Sequence, residues 1–199
     1  YDGQVMFPAH HDIVPENLKY AIQVIQSLSE AGNKVLVVSK PRLACIKELC
    51  AVFQEQREQR LFRFTITARD QATLAFWEPE ASLYEERLSS LQYAHSDGFS
   101  TSVSVEPMLD SSDVVEMVHE LLPYVTHSIW IGKMNKITER VTVNTNEEQI
   151  AVQKIISGQT DDQIHMIFEQ LKDLGKIRWK ESIKDVIGLQ RATHAGLDT

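Results

Sequence analysis

His10-His11-Asp12 sets two imidazoles and a carboxylate in consecutive positions. Such a set can ligate a metal, move a proton or hold a polar cofactor group. Neighbouring side chains diverge on an extended strand, so the three converge only where a loop gathers them. The segment reads as site lining ahead of loop hydrogen bonding and ahead of metal ligation. Lys40 closes the run Val35-Leu36-Val37-Val38-Ser39 just before Pro41, and an ammonium at a strand end suits a carboxylate as a compact charge. Glu106 closes a strand-like run in the same way before Pro107. Trp130-Ile131-Gly132-Lys133-Met134-Asn135 offers a lysine and an amide beside a glycine that permits close approach, which predicts a ligand-lined strand end. Trp77-Glu78-Pro79 reads as a loop before a helix, and Glu85-Glu86-Arg87 as that helix's solvated, salt-bridged face.

Several other chemistries lack their residues. No GxxxxGK or GxGxxG stretch is present to cradle phosphates, and no GxSxG nucleophile elbow. The two cysteines, Cys45 and Cys50, are five apart on an expected helix. That spacing matches neither CxxC nor a zinc site and reads as buried thiols. Two cysteines in 199 residues exclude a disulfide scaffold and point to a reducing, cytoplasmic setting. No apolar run approaches the ~20 residues of a membrane span, and no basic-then-apolar leader opens the chain. A net charge of −8 disfavours a long phosphate-tracking surface, leaving room for a local basic pocket.

The elements that must position these residues alternate in type. Strands are expected at 5–7, 34–39, 61–67, 100–105, 127–134 and 176–180. Helices are expected at 15–31, 43–57 and 81–96, then from a Ser111-Ser112-Asp113 cap to 122. Further helices follow at 146–156 and 161–174, separated by Gly158, and from 181 onward; residues 190–199 read as a frayed end. Strand–helix repeats of this length favour a parallel sheet with helical crossovers. Phe62, Phe64 and Ile66 share one face of their strand, with Arg63, Thr65 and Thr67 opposite. Thr101, Val103 and Val105 oppose Ser102, Ser104 and Glu106. Leu36 and Val38 lie in line with Lys40, and Ile129 and Ile131 with Lys133. A parallel sheet covered on both faces reads more uniformly apolar. A barrel or half-barrel with a polar mouth at the strand C-termini accounts for the pattern better. It predicts Arg63, Thr65, Ser102, Ser104 and Lys40 on the concave side, against the alternative that each polar residue merely ends a strand at the surface.

Six tracts taken in order resemble a known family. They are Met6-Phe7-Pro8 with His11-Asp12-Ile13; Gly32 through Val38-Ser39-Lys40-Pro41; Phe62-Arg63-Phe64-Thr65-Ile66; Trp77-Glu78-Pro79 with Glu86-Arg87; Thr101 through Val105-Glu106-Pro107 to Asp110; and Ile129 through Gly132-Lys133 to Asn135. Across residues 4–140 the set is similar to radical SAM proteins of the branch related to spore photoproduct lyase. The resemblance implies an α/β fold: a partial (β/α)6 TIM-type barrel, truncated at its N-terminal end, with parallel strands and helices outside. Residues 1–140 would hold barrel strands two to six, and 141–199 a C-terminal helical extension packed on the barrel.

The resemblance also implies an enzyme. In that family a [4Fe-4S] cluster binds S-adenosylmethionine and cleaves it reductively to a 5′-deoxyadenosyl radical that takes a hydrogen from substrate. A donor such as flavodoxin or ferredoxin supplies the electron. Carried over residue by residue, the resemblance implies that Lys40 meets the cofactor carboxylate and Thr65 the ribose. His11, Asp12, Ser104, Glu106 and Lys133, from the strand-end and loop positions read above, are expected to line the cofactor with them. The chain departs from the family in lacking the CxxxCxxC loop and the GGE stretch, with Pro8-Ala9-His10-His11-Asp12 in the latter's place. No residue of this chain is therefore expected to ligate the cluster. Its cysteines are expected upstream of Tyr1, and the chain alone is expected to be inactive. The residues leave the substrate unspecified and two alternatives open. One is another TIM-type barrel enzyme using His11, Asp12, Glu106 and Lys133 as acid, base or metal ligands. The other is a nucleic-acid-binding module with a basic mouth of Lys40, Arg42, Arg63, Lys133, Lys136 and Arg140.

Overall fold

A computed structural model describes residues 4–193. The start of the chain and most of the expected frayed end lie outside the described residues. Six strands, β1 (Gln4–Phe7), β2 (Lys34–Ser39), β3 (Arg60–Thr65), β4 (Ser100–Val105), β5 (Ile129–Ile131) and β6 (Ile177–Trp179), form one sheet in chain order. Every neighbouring pair is parallel. Strand order that never reverses, combined with right-handed crossovers, keeps the connecting helices on one side of the sheet. This is the partial TIM-type barrel, with α1 (Leu18–Glu30), α2 (Leu43–Phe53), α3 (Gln71–Trp77), α4 (Tyr84–Ser96) and α5 (Val114–Leu121) between the strands. Helices α6 (Ile137–Arg140), α7 (Asn146–Gly158) and α8 (Asp161–Leu171) separate β5 from β6, and α9 (Glu181–Ile187) follows. The sheet thus runs past residue 140, since β6 pairs with β5.

The helix-covered face is apolar throughout. Val35, Val37, Phe62, Phe64, Val103, Val105, Ile129 and Ile131 are all buried there. Phe62 stacks on Phe64 at 5.7 Å and meets Phe99 at 5.2 Å. Helices return Cys45, Ile46, Leu49, Leu91, Met117 and Val118 to the same core. The opposite face has the expected polar rows. Arg63 lies between Val38 and Ser102, and Thr65 lies opposite Ser104. Ser104 faces Trp130, which faces Arg178.

One strand has the opposite phase from that expected. Ile129 and Ile131 sit on the helix-covered face and Trp130 on the open one. β5 spans only three residues, so Lys133 lies beyond it rather than in line with its isoleucines. Two buried isoleucines pinned between β4 and β6 decide the matter, because a one-residue slip would exchange the faces.

Other differences are local. Helix α1 begins at Leu18 rather than Pro15, the Asn17 amide oxygen accepting from Val14 N at 2.9 Å in the turn before it. α2 gives way at Phe53 to a 3-10 segment over 54–59. α3 fills a stretch read as loop, capped by Asp70, which accepts from Thr73 N at 2.7 Å. Asp113 makes no cap bond, because its carboxylate is held by Arg69. α7 takes in Gly158 as its last residue, two beyond the expected end, and α8, capped by Thr160, stops at Leu171.

Candidate functional site

The C-terminal ends of β2, β3 and β4 converge on a polar rim. The loop after β1 is tied to β2 by Asp12. Its carboxylate accepts from Lys40 N at 2.7 Å and from the Ser39 hydroxyl at 3.3 Å, while Ser39 Oγ accepts from Ile13 N at 2.9 Å. The Lys40 ammonium then stands 3.7 Å from Asp12 and 3.8 Å from Glu78. His10, His11, Asp12, Val38 and Lys40 line a cleft of about 240 Å³. The loop therefore gathers the His-His-Asp trio beside Lys40, with Asp12 both bracing the loop and lining the cleft.

Behind Lys40 lies a buried ion pair, one member of which, Arg87, is expected from sequence on a solvated or salt-bridged helix face. Arg87 has a fully buried side chain and donates to Glu78 Oε2 at 2.6 Å. It also donates to the backbone oxygens of Ser82 at 2.7 Å and Thr65 at 3.2 Å. Glu78 accepts a second donor, the Thr67 hydroxyl at 3.1 Å. Because α3 ends at Trp77, Glu78 turns back toward the strand ends. Glu86 stays partly exposed on the helix face, where it pairs with Arg42 at 3.6 Å and accepts from Leu43 N at 2.9 Å, capping α2 from another helix. Polarity alone put Arg87 outside; a glutamate and an arginine nine residues apart across a helix start was the signal that could have paired Glu78 with Arg87.

Thr65 and Ser104 are direct cross-strand partners on the open face, half-buried. Neither hydroxyl has a hydrogen-bond partner among the described residues. Glu106 pairs with Lys180 at 3.1 Å, a residue the sequence reading did not single out. Gly132 makes this contact possible: a Cβ there would stand 2.9 Å from Lys180 Cγ and 3.0 Å from Glu106 Cδ. The glycine thus admits protein side chains. Lys133 is not brought to the Lys40 cleft. It faces Asp161 at 3.8 Å, and its amide donates to Ser182 Oγ at 3.0 Å. Of the expected basic mouth, Lys40, Arg42, Lys133 and Lys136 each have a carboxylate partner.

These residues can be tested against the two implied groups. An ammonium braced between carboxylates, beside two unengaged hydroxyls on one face, fits a zwitterionic nucleoside cofactor such as S-adenosylmethionine. The cluster does not fit. Cys45 and Cys50 are both buried among the core helices, and burial raises both thiols, Cys50 to about 12. Iron ligation needs thiolates. No group of three or more His, Cys, Asp or Glu side chains able to hold a metal occurs among the described residues. No described helix is long and apolar enough to cross a membrane.

The fold and its rim define a class: an α/β partial barrel with a polar cleft at the C-terminal ends of its strands. A scan against protein-family models matches none, and a search of curated proteins finds no significant match. Solved structures share the fold. A domain of pyruvate-formate lyase-activating enzyme from Bacteroides vulgatus is 14% identical at a TM-score of 0.57, covering 89% of this chain and 99% of that one. Streptococcus suis SuiB bound to S-adenosylmethionine is 7% identical at a TM-score of 0.59, covering 95% of this chain and 42% of that one. At these identities the likeness is one of fold, and this chain spans less than half of SuiB.

Proposed function

We propose that this chain forms the cofactor- and substrate-holding part of the barrel of a radical SAM enzyme, in the branch related to spore photoproduct lyase. The observation that carries the reading is Lys40 at the end of β2, fixed between Asp12 and Glu78, on the same rim as the unengaged hydroxyls of Thr65 and Ser104. The fold shared with a protein solved with S-adenosylmethionine supports it. Lys40 binds the cofactor carboxylate, its two carboxylate neighbours setting its direction. Thr65 both donates and accepts, as a ribose diol requires, with Ser104 beside it. His11 lines the cleft next to Asp12, and Glu106, held by Lys180, closes the far side of the rim. When bound at its cluster, the cofactor supplies the hydrogen-abstracting radical; the chain supplies orientation and exclusion of water. The cluster cysteines belong to a segment N-terminal to this sequence, the electron to a flavodoxin- or ferredoxin-like donor, and the setting is cytoplasmic.

The test uses the protein carrying that preceding segment, reconstituted anaerobically. Lys40→Ala should weaken S-adenosylmethionine binding by about tenfold or more, the loss of one charge-assisted hydrogen bond. Thr65→Val should weaken it less. Neither should release iron. Lys34→Ala, at the opposite end of β2, should leave affinity unchanged. Equal affinity of wild type and Lys40→Ala by calorimetry, with iron content intact, defeats the assignment.

A further inference from the structure

Below the rim, the open face of the sheet holds a second and larger basin of about 540 Å³. Its lining includes Leu36, Arg63, His127, Trp130, Arg178 and Lys180. Three fixed cations and an imidazole face one cavity, and no carboxylate lines it, in a chain whose net charge is −8.

The partners of these cations leave most of their charge uncompensated. Arg63 Nε donates to Ser102 Oγ at 3.1 Å, and its guanidinium lies 5.4 Å from the Trp130 ring centre. Arg178 donates to the carbonyls of Gly175 and Ile177 at 3.0 and 2.8 Å. Neither arginine forms an ion pair among the described residues. Lys180 is shared between Glu106 at 3.1 Å and the other contact of Trp130, at 5.3 Å. His127 Nδ1 meets Ser128 Oγ at 2.8 Å. Burial lowers the pKa of Arg63, and burial together with Arg63 and Arg178 lowers that of His127. Half-buried guanidinium groups without counter-charges are costly, and a planar fork is the geometry that meets carboxylate or phosphate through paired hydrogen bonds.

We propose that this basin binds an oxyanion of the substrate, a carboxylate or phosphate group, on Arg63 and Arg178. The inference deepens the reading above and rests on it for the word substrate. Arg63 precedes Thr65 by two residues on the same strand face, roughly 7 Å along β3. An anion anchored at Arg63 directs the rest of its molecule toward the cofactor rim.

The test titrates the full 199-residue chain with inorganic phosphate and, separately, with malonate, by calorimetry at low ionic strength. At least one should bind saturably with one site, and the tighter of the two names the group. Arg63→Gln and Arg178→Gln should each weaken that binding by about tenfold or more. Lys172→Gln, at the exposed residue that follows α8 and does not line the basin, should leave it unchanged. Circular dichroism checks that each variant is folded, and half-exposed Arg178 keeps the test valid if Arg63→Gln unfolds. Absence of saturable binding of both anions at ~10 mM, weaker than any useful anchoring, overturns the proposal. So does binding that the double variant retains. Neither titration needs cluster or cofactor, so the result stands apart from the Lys40 experiment. Cofactor binding without anion binding defeats only the basin; anion binding without cofactor binding leaves the basin and defeats the radical SAM reading.

Discussion

Replacing Arg87 by methionine should destabilise the fold by about 3–5 kcal/mol, because it strands the Glu78 carboxylate where water hardly reaches. The Arg87 side chain is 0% exposed and that of Glu78 10%. Besides the 2.6 Å ion pair, the guanidinium satisfies the carbonyls of Ser82 and Thr65, which lose their donor in the same step. Methionine fills much of the vacated volume, so loss of charge and hydrogen bonds dominates over cavity formation. Lys40, 3.8 Å from Glu78, offers partial compensation and draws the expectation toward the lower end. A loss of ~3 kcal/mol in a domain of this size lowers Tm by roughly 6–12 °C. The assay is urea unfolding, read as a shifted midpoint at unchanged slope. Glu78→Gln should also destabilise, by leaving Arg87 buried without a counter-charge. Combining Arg87→Met with Glu78→Leu should cost at least ~1 kcal/mol less than the two single changes added together. A methionine variant within about 1 kcal/mol of wild type, or strict additivity in the double variant, refutes the argument.

Gly132→Ala should separate Lys180 from Glu106, because the new Cβ falls 2.9 Å from Lys180 Cγ; overpacking of this kind costs about 1–3 kcal/mol and should show as a lower Tm. The Cys50 thiol, pushed up to about 12 chiefly by burial and secondarily by Asp97, should resist alkylation at pH ~8 in the folded chain and react in urea. Anaerobic reconstitution of the 199-residue chain should leave no stable [4Fe-4S] cluster on Cys45 or Cys50, and an iron–sulfur absorption band lost on Cys45→Ala or Cys50→Ala would overturn this. His127 has a pKa below its ordinary 6.5, first through burial and then through Arg63 and Arg178. The unfolded chain therefore binds the proton more readily, so this contribution to stability is fully present above pH ~6.5 and is lost as pH falls toward the folded value. His127→Gln should flatten the fall in unfolding midpoint across that window.

Much of the architecture was legible from local pattern. β2 and β4 start and stop where the β-branched runs do, and the alternation of Phe62, Arg63, Phe64 and Thr65 separates the two faces of β3. That information is local because a strand's side-chain period is geometric and burial follows it. The same reasoning placed Lys40, Asp12 and His11 together, since each sits at or just past a strand end.

Failures arose where long-range contacts decided the outcome. The phase of β5 depends on which isoleucine face meets the helices, a choice that only packing between β4 and β6 makes. Arg87 looks like one charge in an acidic–basic run, yet Glu78 and the ends of β3 remove it from water. Lys180 joins the rim only because β6 pairs beside β5 and Gly132 leaves room for its stem. The sequence by itself determined the strand–helix alternation, the two-faced sheet and the polar strand ends, all consequences of periodicity and backbone preference. Tertiary structure alone decided which charges are paired and which cations face an open basin, because such pairings depend on distances between segments that no local pattern encodes.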